Sequence, residues 1–286
     1  MAGAAAGLLV LVSGRGAAIA SDGQPSTAIA ARAAIGEARR GTVTVAIAPA
    51  LDVVVRGGRA AAGRPIVVID PGHGGHDPGA TSVSGGIAEK QLTLTLAREL
   101  RDRLMARGRV RVALTRENDE YRTLEQRADI ARGLGASLFL SLHMDSAPNP
   151  LARGASVYSL SDVASDAESA RFARTQNAGA VLGATDGSVR SMLSDLALRS
   201  QMSSSADLAL RLVRKSAARI TLRPEPHRFA AFHVLRRAQA PAVLFEAGYI
   251  SNSEDEALLR SPEHRAALVA GLAETVEADV AARLRR

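Results

Sequence analysis

The chain has 286 residues, of which 47% are hydrophobic and 23% are charged, enough for one globular domain with residues to spare. Cysteine is absent, which excludes disulfides and thiolate metal ligands, so any bound zinc would have to use histidine and carboxylate. The net charge of +7 would attract an anionic polymer as a partner. The alternative is that the charge reflects only a composition rich in Arg and Ala. No sequence motif indicates nucleic-acid binding.

The first 63 residues differ in character from the rest of the chain. Residues 4–12 form an apolar run too short to span a bilayer, which takes about 20 residues, and 18–20 read Ala-Ile-Ala, a small-residue cleavage pattern. We interpret 1–20 as a secretory signal segment with a truncated basic start, although an Ala-rich tail has the same composition. Residues 21–63, with a β-like stretch at 41–50, are interpreted as a linker or the remnant of an upstream module. We find no other candidate for a membrane-spanning segment.

From residue 64 onward, apolar strand patterns alternate with helical patterns. The predicted strands are 66–70, 110–116, 137–143, 155–160, 232–236 and 242–247. The predicted helices are 89–107, 124–134, 254–260 and 262–284, with two further helical stretches at 163–182 and 188–220. This alternation predicts an α/β domain over 64–286, with a twisted, mostly parallel sheet of about six strands and helices on both faces.

Two histidines and two glutamates lie at the ends of these predicted elements. His73 is in a Gly/Pro-rich loop after the first strand, Glu89 opens a long helix, and His143 and Glu246 end two later strands. Open α/β sheets place their sites at the carboxyl ends of strands, so we expect these side chains to meet. Two histidines and one carboxylate form a set that zinc accepts while leaving a fourth position open, the mark of a catalytic site. A buried Glu246 beside that site would be the general base and then the general acid.

All of these residues except His73 also have a simpler interpretation. Glu89 could be a first-turn acid favoured by the helix dipole, and His143 a hydrogen-bonded core histidine. Glu246 could be a salt-bridged acid at a strand end. Asp145 shares the face of His143 in an extended strand, so it could orient a ligand, contact the metal, or only be a solvated loop residue.

Five segments together resemble the zinc-dependent N-acetylmuramoyl-L-alanine amidases of bacterial cell-wall turnover: IDPGHGGHDPGA, GGIAEK, SLHMDSAPNP, RGASVYSL and LFEAGYISN. The resemblance covers 64–284 and implies Zn²⁺ held by His73, Glu89 and His143, with Glu246 as the catalytic glutamate. It further implies peptidoglycan as substrate, a periplasmic or exported location, and a monomer. Two alternatives remain open from the residues alone, a related zinc peptidase acting on short peptides and a non-catalytic wall-binding protein.

The segment 163–205 is long for a simple crossover and resembles the helical insertion of the amidase branch that acts in cell separation. In that branch a helix covers the zinc cleft until a divisome-associated activator withdraws it. We therefore expect an autoinhibitory role for this insertion, with Glu168 filling the open zinc position. The alternative is that Ser165 and Glu168 form a capping box at the start of a helix.

Overall fold

The computed structural model of the chain describes residues 53–57, 61–178 and 189–285, together with four strands between residues 9 and 46. The chain divides into two compact units, Met1–Asp52 and Val53–Arg286. In the first unit, β1 (Leu9–Ser13) pairs with β2 (Gly16–Ala20) and β3 (Ala28–Ile35) pairs with β4 (Arg39–Ala46), both antiparallel. The expected β-like stretch at 41–50 overlaps β4. Residues 1–8 of the expected signal segment lie outside the described residues, and the interpretations of 1–20 and 21–63 remain predictions.

The second unit is built on a six-stranded sheet. Its strands are β5 (Ile66–Pro71), β6 (Arg111–Leu114), β7 (Leu138–Asp145), β8 (Ala155–Leu160), β9 (Leu222–Ala230) and β10 (Ala242–Tyr249). Their order across the sheet is β6-β5-β7-β10-β8-β9. All neighbouring pairs are parallel except β10 with β8, so β8 and β9 run against the other four strands. The predicted mostly parallel sheet of about six strands is confirmed.

Seven helices surround this sheet in the described part of the chain. They are α1 (Glu89–Arg107), α2 (Leu124–Gly133), α3 (Ala167–Gln176), α4 (Val189–Ser216), α5 (His233–Arg237), α6 (Ser253–Arg260) and α7 (Pro262–Arg283). Helices α1 and α4 both pack against α7, while α2 packs against α5. Among the described residues, no helix combines the length and apolar character needed to cross a bilayer.

The two faces of the sheet have different chemistry, because alternate residues of a strand point to opposite sides. One face packs with α1, α4 and α7 in an aliphatic core that includes the strand residues Val67, Ile69, Leu140, Leu142, Val243 and Phe245. The intervening positions place polar side chains on the other face, among them Asp70, Ser141, His143 and Glu246, all of them buried. The strands therefore place these four buried polar groups on the same side of the sheet.

One predicted strand is wrong. Residues 232–236 were expected to form a strand, but His233–Arg237 is the short helix α5, and the edge strand is Leu222–Ala230 instead. That strand contains Pro224 and Pro226, which cannot donate to a ladder and which sequence reasoning reads as a break. An edge strand tolerates them because one of its sides is unpaired. The two expected helical stretches contain α3 and α4, and the intervening 179–188 lies outside the described residues.

Candidate metal centre and active site

His73 lies in the loop that follows β5, in a conformation that histidine rarely adopts. Its φ is +60°, in the left-handed region that is unfavourable for a bulky side chain. Arg127 Nη2 donates to the His73 carbonyl at 2.8 Å, and Asp77 Oδ2 lies 2.9 Å from His73 Nδ1. The backbone is thus held from one side and the ring from the other, which directs Nε2 away from Asp77.

Glu89 is the first residue of α1 and is almost fully buried. Its carboxylate accepts hydrogen bonds from the Ala80 amide at 2.9 Å and the Met144 amide at 3.0 Å. Its two oxygens also lie 3.0 Å from His73 Nε2 and 3.0 Å from His143 Nδ1, respectively. The carboxylate therefore links the two histidines, which approach it from the loop after β5 and from β7.

The three side chains His73, Glu89 and His143 form a group whose ligand atoms all lie within 4.8 Å of one another. The two imidazole rings are 4.9 Å apart and nearly perpendicular. His73 Nε2 is buried and makes no hydrogen bond of acceptable geometry, despite its closeness to Glu89. A buried nitrogen without a hydrogen-bond partner, beside a second imidazole and a carboxylate, fits a divalent metal of the zinc type. The residues present therefore suit the zinc ion that the sequence predicts.

Ionisation in this group follows from the same contacts. Burial alone would lower the pKa of His73, but Asp77 and Glu89 outweigh burial and raise that pKa to about 9. Burial would raise the pKa of Glu89, yet the two histidines hold it well below its usual range. Burial lowers the pKa of His143, against the opposing effect of Glu89. Glu89 is thus an ionised carboxylate that lies between the two imidazole rings.

Glu246 lies on β10 directly opposite His143 of β7. Its side chain is fully buried, and neither carboxylate oxygen has a hydrogen-bond partner. Burial, then the charges of Asp145 and Glu89, raise the pKa of Glu246 well above its usual value. The salt-bridged alternative considered from sequence is wrong, because among the residues that the structure describes no cationic side chain pairs with this carboxylate. The structure thus shows a buried carboxyl group without a hydrogen-bond partner on the strand next to His143.

Asp145 is buried near the end of β7, on the same face as His143. Its Oδ1 accepts from the Ser146 amide at 2.7 Å, and burial is the main cause that raises its pKa to about 6. The solvated-loop alternative is therefore wrong. Asp145 is not a member of the three-residue group, and its orienting role remains a prediction.

Sequence reasoning missed the side chains that fix the His73 loop. Arg127 donates to Asp70 Oδ1 and to the Pro71 carbonyl, both at 2.8 Å, and is itself buried. Arg116 donates to the Gly72 carbonyl at 2.8 Å, and burial lowers its pKa to about 10. Both arginines come from other elements, so only the pattern of an arginine in an otherwise apolar context could have indicated them.

The site opens into a cavity of about 1290 Å³ that α3 helps to line. Glu168 of α3 lies at this wall, with its carboxylate 3.0 Å from Arg223 Nη2, 3.4 Å from Arg228 Nη2 and 3.5 Å from the Tyr249 hydroxyl. It is not part of the three-residue group in this arrangement, so the expected contact with the open zinc position is not formed here. The alternative capping box is wrong, because Asp166 is the N-cap of α3 and accepts from the Ser169 amide.

Comparison with known proteins gives one consistent family. Residues 67–278 match the family model described as N-acetylmuramoyl-L-alanine amidase. The chain is 35% identical to the amidase AmiA of Escherichia coli, over 75% of each protein. It is also 35% identical to the probable amidase AmiB of Haemophilus influenzae, over 70% of this chain and 48% of AmiB. The chain thus spans about half of the length of that relative.

Solved structures that resemble this chain are also amidases. The catalytic domain of the amidase CwlV from Bacillus (Paenibacillus) polymyxa superimposes with a TM-score of 0.57 at 27% identity, covering 74% of this chain and 96% of CwlV. The amidase AmiC2 of Nostoc punctiforme gives a TM-score of 0.55 at 26% identity, covering 78% of this chain and 99% of AmiC2. The match to the family model over most of the chain, joined to these relatives, shows that the protein belongs to the N-acetylmuramoyl-L-alanine amidase family, Amidase_3.

Proposed function

We propose that this protein hydrolyses the amide bond between N-acetylmuramic acid and L-alanine in peptidoglycan, with Zn²⁺ as its cofactor. The observation that best supports the proposal is that a buried glutamate lies beside three side chains of metal-ligand type. Three side chains of metal-ligand type converge within 4.8 Å, and a fully buried glutamate without hydrogen-bond partners lies opposite one of them on the neighbouring strand. Family membership supplies the substrate class.

His73, Glu89 and His143 would hold the ion and leave one position open. When bound, zinc polarises a substrate carbonyl and makes water a better nucleophile near neutral pH. The hydrogen bond between Asp77 and His73 Nδ1 keeps Nε2 as the ligating nitrogen, the usual role of a carboxylate behind a metal-bound histidine.

Glu246 would move the protons of the reaction. It takes a proton from the attacking water, whose oxygen forms a bond to the lactyl carbonyl carbon. It then gives that proton to the L-alanine nitrogen as the carbon–nitrogen bond breaks, leaving a lactyl carboxylic acid and a free amine. A carboxyl group with a raised pKa suits this exchange, because it can hold the proton between the two steps.

The insertion at 163–205 is proposed to regulate access, with a divisome-associated protein as activator. In support, α3 lines the same cavity as the candidate metal centre, and Glu168 is ion-paired with Arg223 and Arg228 of β9. For Glu168 to reach the open zinc position, its carboxylate would first have to leave these arginines. Since peptidoglycan lies outside the cytoplasmic membrane, we also propose that the protein acts in the periplasm or at the cell surface.

Digestion of purified peptidoglycan tests the proposal. The zinc-loaded protein is incubated with isolated sacculi, and the soluble products are identified by mass spectrometry. We expect stem peptides that begin with a free L-alanine amine, together with glycan strands that have lost their peptides. Shortened stems that retain the lactyl–alanine amide would indicate the zinc peptidase instead. Sacculi that bind the protein and release nothing would indicate a wall-binding protein.

A further inference from the structure

Four buried polar atoms without hydrogen-bond partners belong to two adjacent strands at the candidate active site. They are Ser156 Oγ and the Tyr158 hydroxyl on β8, and the two carboxylate oxygens of Glu246 on β10. All three side chains are fully buried. Buried polar groups are nearly always paired, since leaving one unpaired costs free energy, so a concentration of unpaired groups requires an explanation.

The strand register brings these groups to one side of the sheet. Ser156 is directly opposite Glu246 in the antiparallel pair of β8 and β10, and Tyr158 is opposite Leu244. Residues two apart in a strand share a face, so Tyr158 lies beside Ser156 on the side of Glu246. Directly opposite residues have Cβ atoms about 4.5–5.5 Å apart. A serine hydroxyl at that separation can reach a glutamate carboxylate by rotation about χ1 or through one water.

The charges around these groups follow from the same arrangement. Burial, then the charges of Asp145 and Glu246, raise the pKa of the Tyr158 hydroxyl above its usual value. Tyr158 therefore remains a neutral donor at any physiological pH. Glu246 lies near the carboxylates of Asp145 and Glu89, which repel it, and no cation contacts it. Two unpaired donors thus lie next to two unpaired acceptors that lack any other stabilising partner.

Packing accounts for the tyrosine ring and not for its hydroxyl. The ring of Tyr158 lies 5.2 Å from Phe172 and 5.4 Å from Phe232, an aromatic cluster that a phenylalanine would complete equally well. Likewise an alanine would fill the position of Ser156 with less polarity to bury. Packing therefore does not account for the two hydroxyls.

We propose that Ser156 and Tyr158 are positioning residues for Glu246. In the arrangement that the structure shows, neither hydroxyl bonds to the carboxylate. In the working enzyme, after a change of rotamer or across one water, the hydroxyls donate hydrogen bonds to it and hold it in the rotamer that reaches the scissile amide. The inference rests on the proposed amidase function, and it adds two residues that act through Glu246 and do not contact the metal.

The test uses three single variants of the zinc-loaded full chain: Ser156→Ala, Tyr158→Phe and, as a matched control, Ser159→Ala. Ser159 is a buried serine of the same strand whose hydroxyl contacts His227 Nε2 at 2.8 Å, on the opposite face from Glu246. We expect roughly 10- to 100-fold lower kcat for Ser156→Ala and Tyr158→Phe, the effect of a misplaced catalytic group, with KM and bound zinc unchanged. Their melting temperatures should equal or exceed that of the wild type, and Ser159→Ala should keep the wild-type kcat. Ser156→Thr, which restores a hydroxyl, should recover activity.

Three other outcomes would contradict the proposed role of Ser156 and Tyr158. If both variants retain the wild-type kcat, or if KM rises while kcat is unchanged, the positioning role is refuted. An equal loss of kcat in Ser159→Ala would also refute it, since the effect would then be a general one on strand β8. A wild-type protein that releases no product from sacculi would overturn the proposed function itself, and this inference with it.

Discussion

A single methyl group at position 72 is expected to disrupt the metal centre. A Cβ built on Gly72 would lie 2.3–2.6 Å from three atoms of the His143 ring, where ordinary contacts begin at 3.4 Å. The ring would have to move by about 1 Å, but Glu89 holds it through the 3.0 Å contact between Oε1 and His143 Nδ1. Gly72 is outside the left-handed region of φ, so the effect of Gly72→Ala is steric and not a backbone penalty.

The expected consequence is a loss of zinc affinity of roughly 10- to 100-fold, the range found when a group that orients a metal ligand is removed. Competition with a calibrated chelator measures the affinity, and circular dichroism checks that the variant is folded. Gly86→Ala is the matched control, because the nearest atom to its added Cβ is 3.9 Å away and its φ is unrestricted. A folded Gly72→Ala variant with wild-type zinc affinity would show that His143 does not ligate the ion.

Three further predictions concern the reaction and its control. Glu246→Gln should retain zinc but lose activity by roughly 10²–10⁴-fold, because the glutamine side chain cannot exchange the proton. A variant that releases product from sacculi at a rate within a few-fold of the wild type would refute the role of Glu246. Removal of the metal by a chelator should abolish activity, and added Zn²⁺ should restore it. The variant His73→Ala should bind no metal at any tested zinc concentration. Metal analysis that finds a full equivalent of zinc in that variant would contradict the assigned site. Glu168→Ala removes the ion pairs of Glu168 with Arg223 and Arg228 on β9, and deletion of 163–190 removes α3 itself. Either change should raise the basal rate of release from sacculi without an activator, and unchanged basal rates in both would exclude a restraining role.

The sheet was largely predictable from sequence because its central strands are continuous apolar runs. The buried strands Ile66–Pro71 and Ala242–Tyr249 each begin with four consecutive apolar residues that follow a proline, so their positions are evident. The edge strand Leu222–Ala230 was missed because its prolines and charges remove that pattern. Strand order decides which strand is at the edge, and no local pattern determines strand order.

In the candidate site, too, features that depend on local sequence were predictable and contacts between distant elements were not. His73, Glu89 and His143 could be named in advance because each ends or begins a predicted element, and the carboxyl ends of parallel strands converge. Contacts that depend on long-range register could not be named. The position of Ser156 opposite Glu246 exists only because β8 runs antiparallel to β10. The pairing of Glu168 with Arg223 depends on how α3 packs against β9.

Anomalous diffraction at the zinc edge tests the central claim most directly. Crystals of the full chain grown with Zn²⁺ should give an anomalous peak bounded by His73, Glu89 and His143, at about 2.0–2.2 Å from their ligating nitrogen and oxygen atoms. A peak at another set of side chains, or no peak among these three with zinc in excess, would contradict the account.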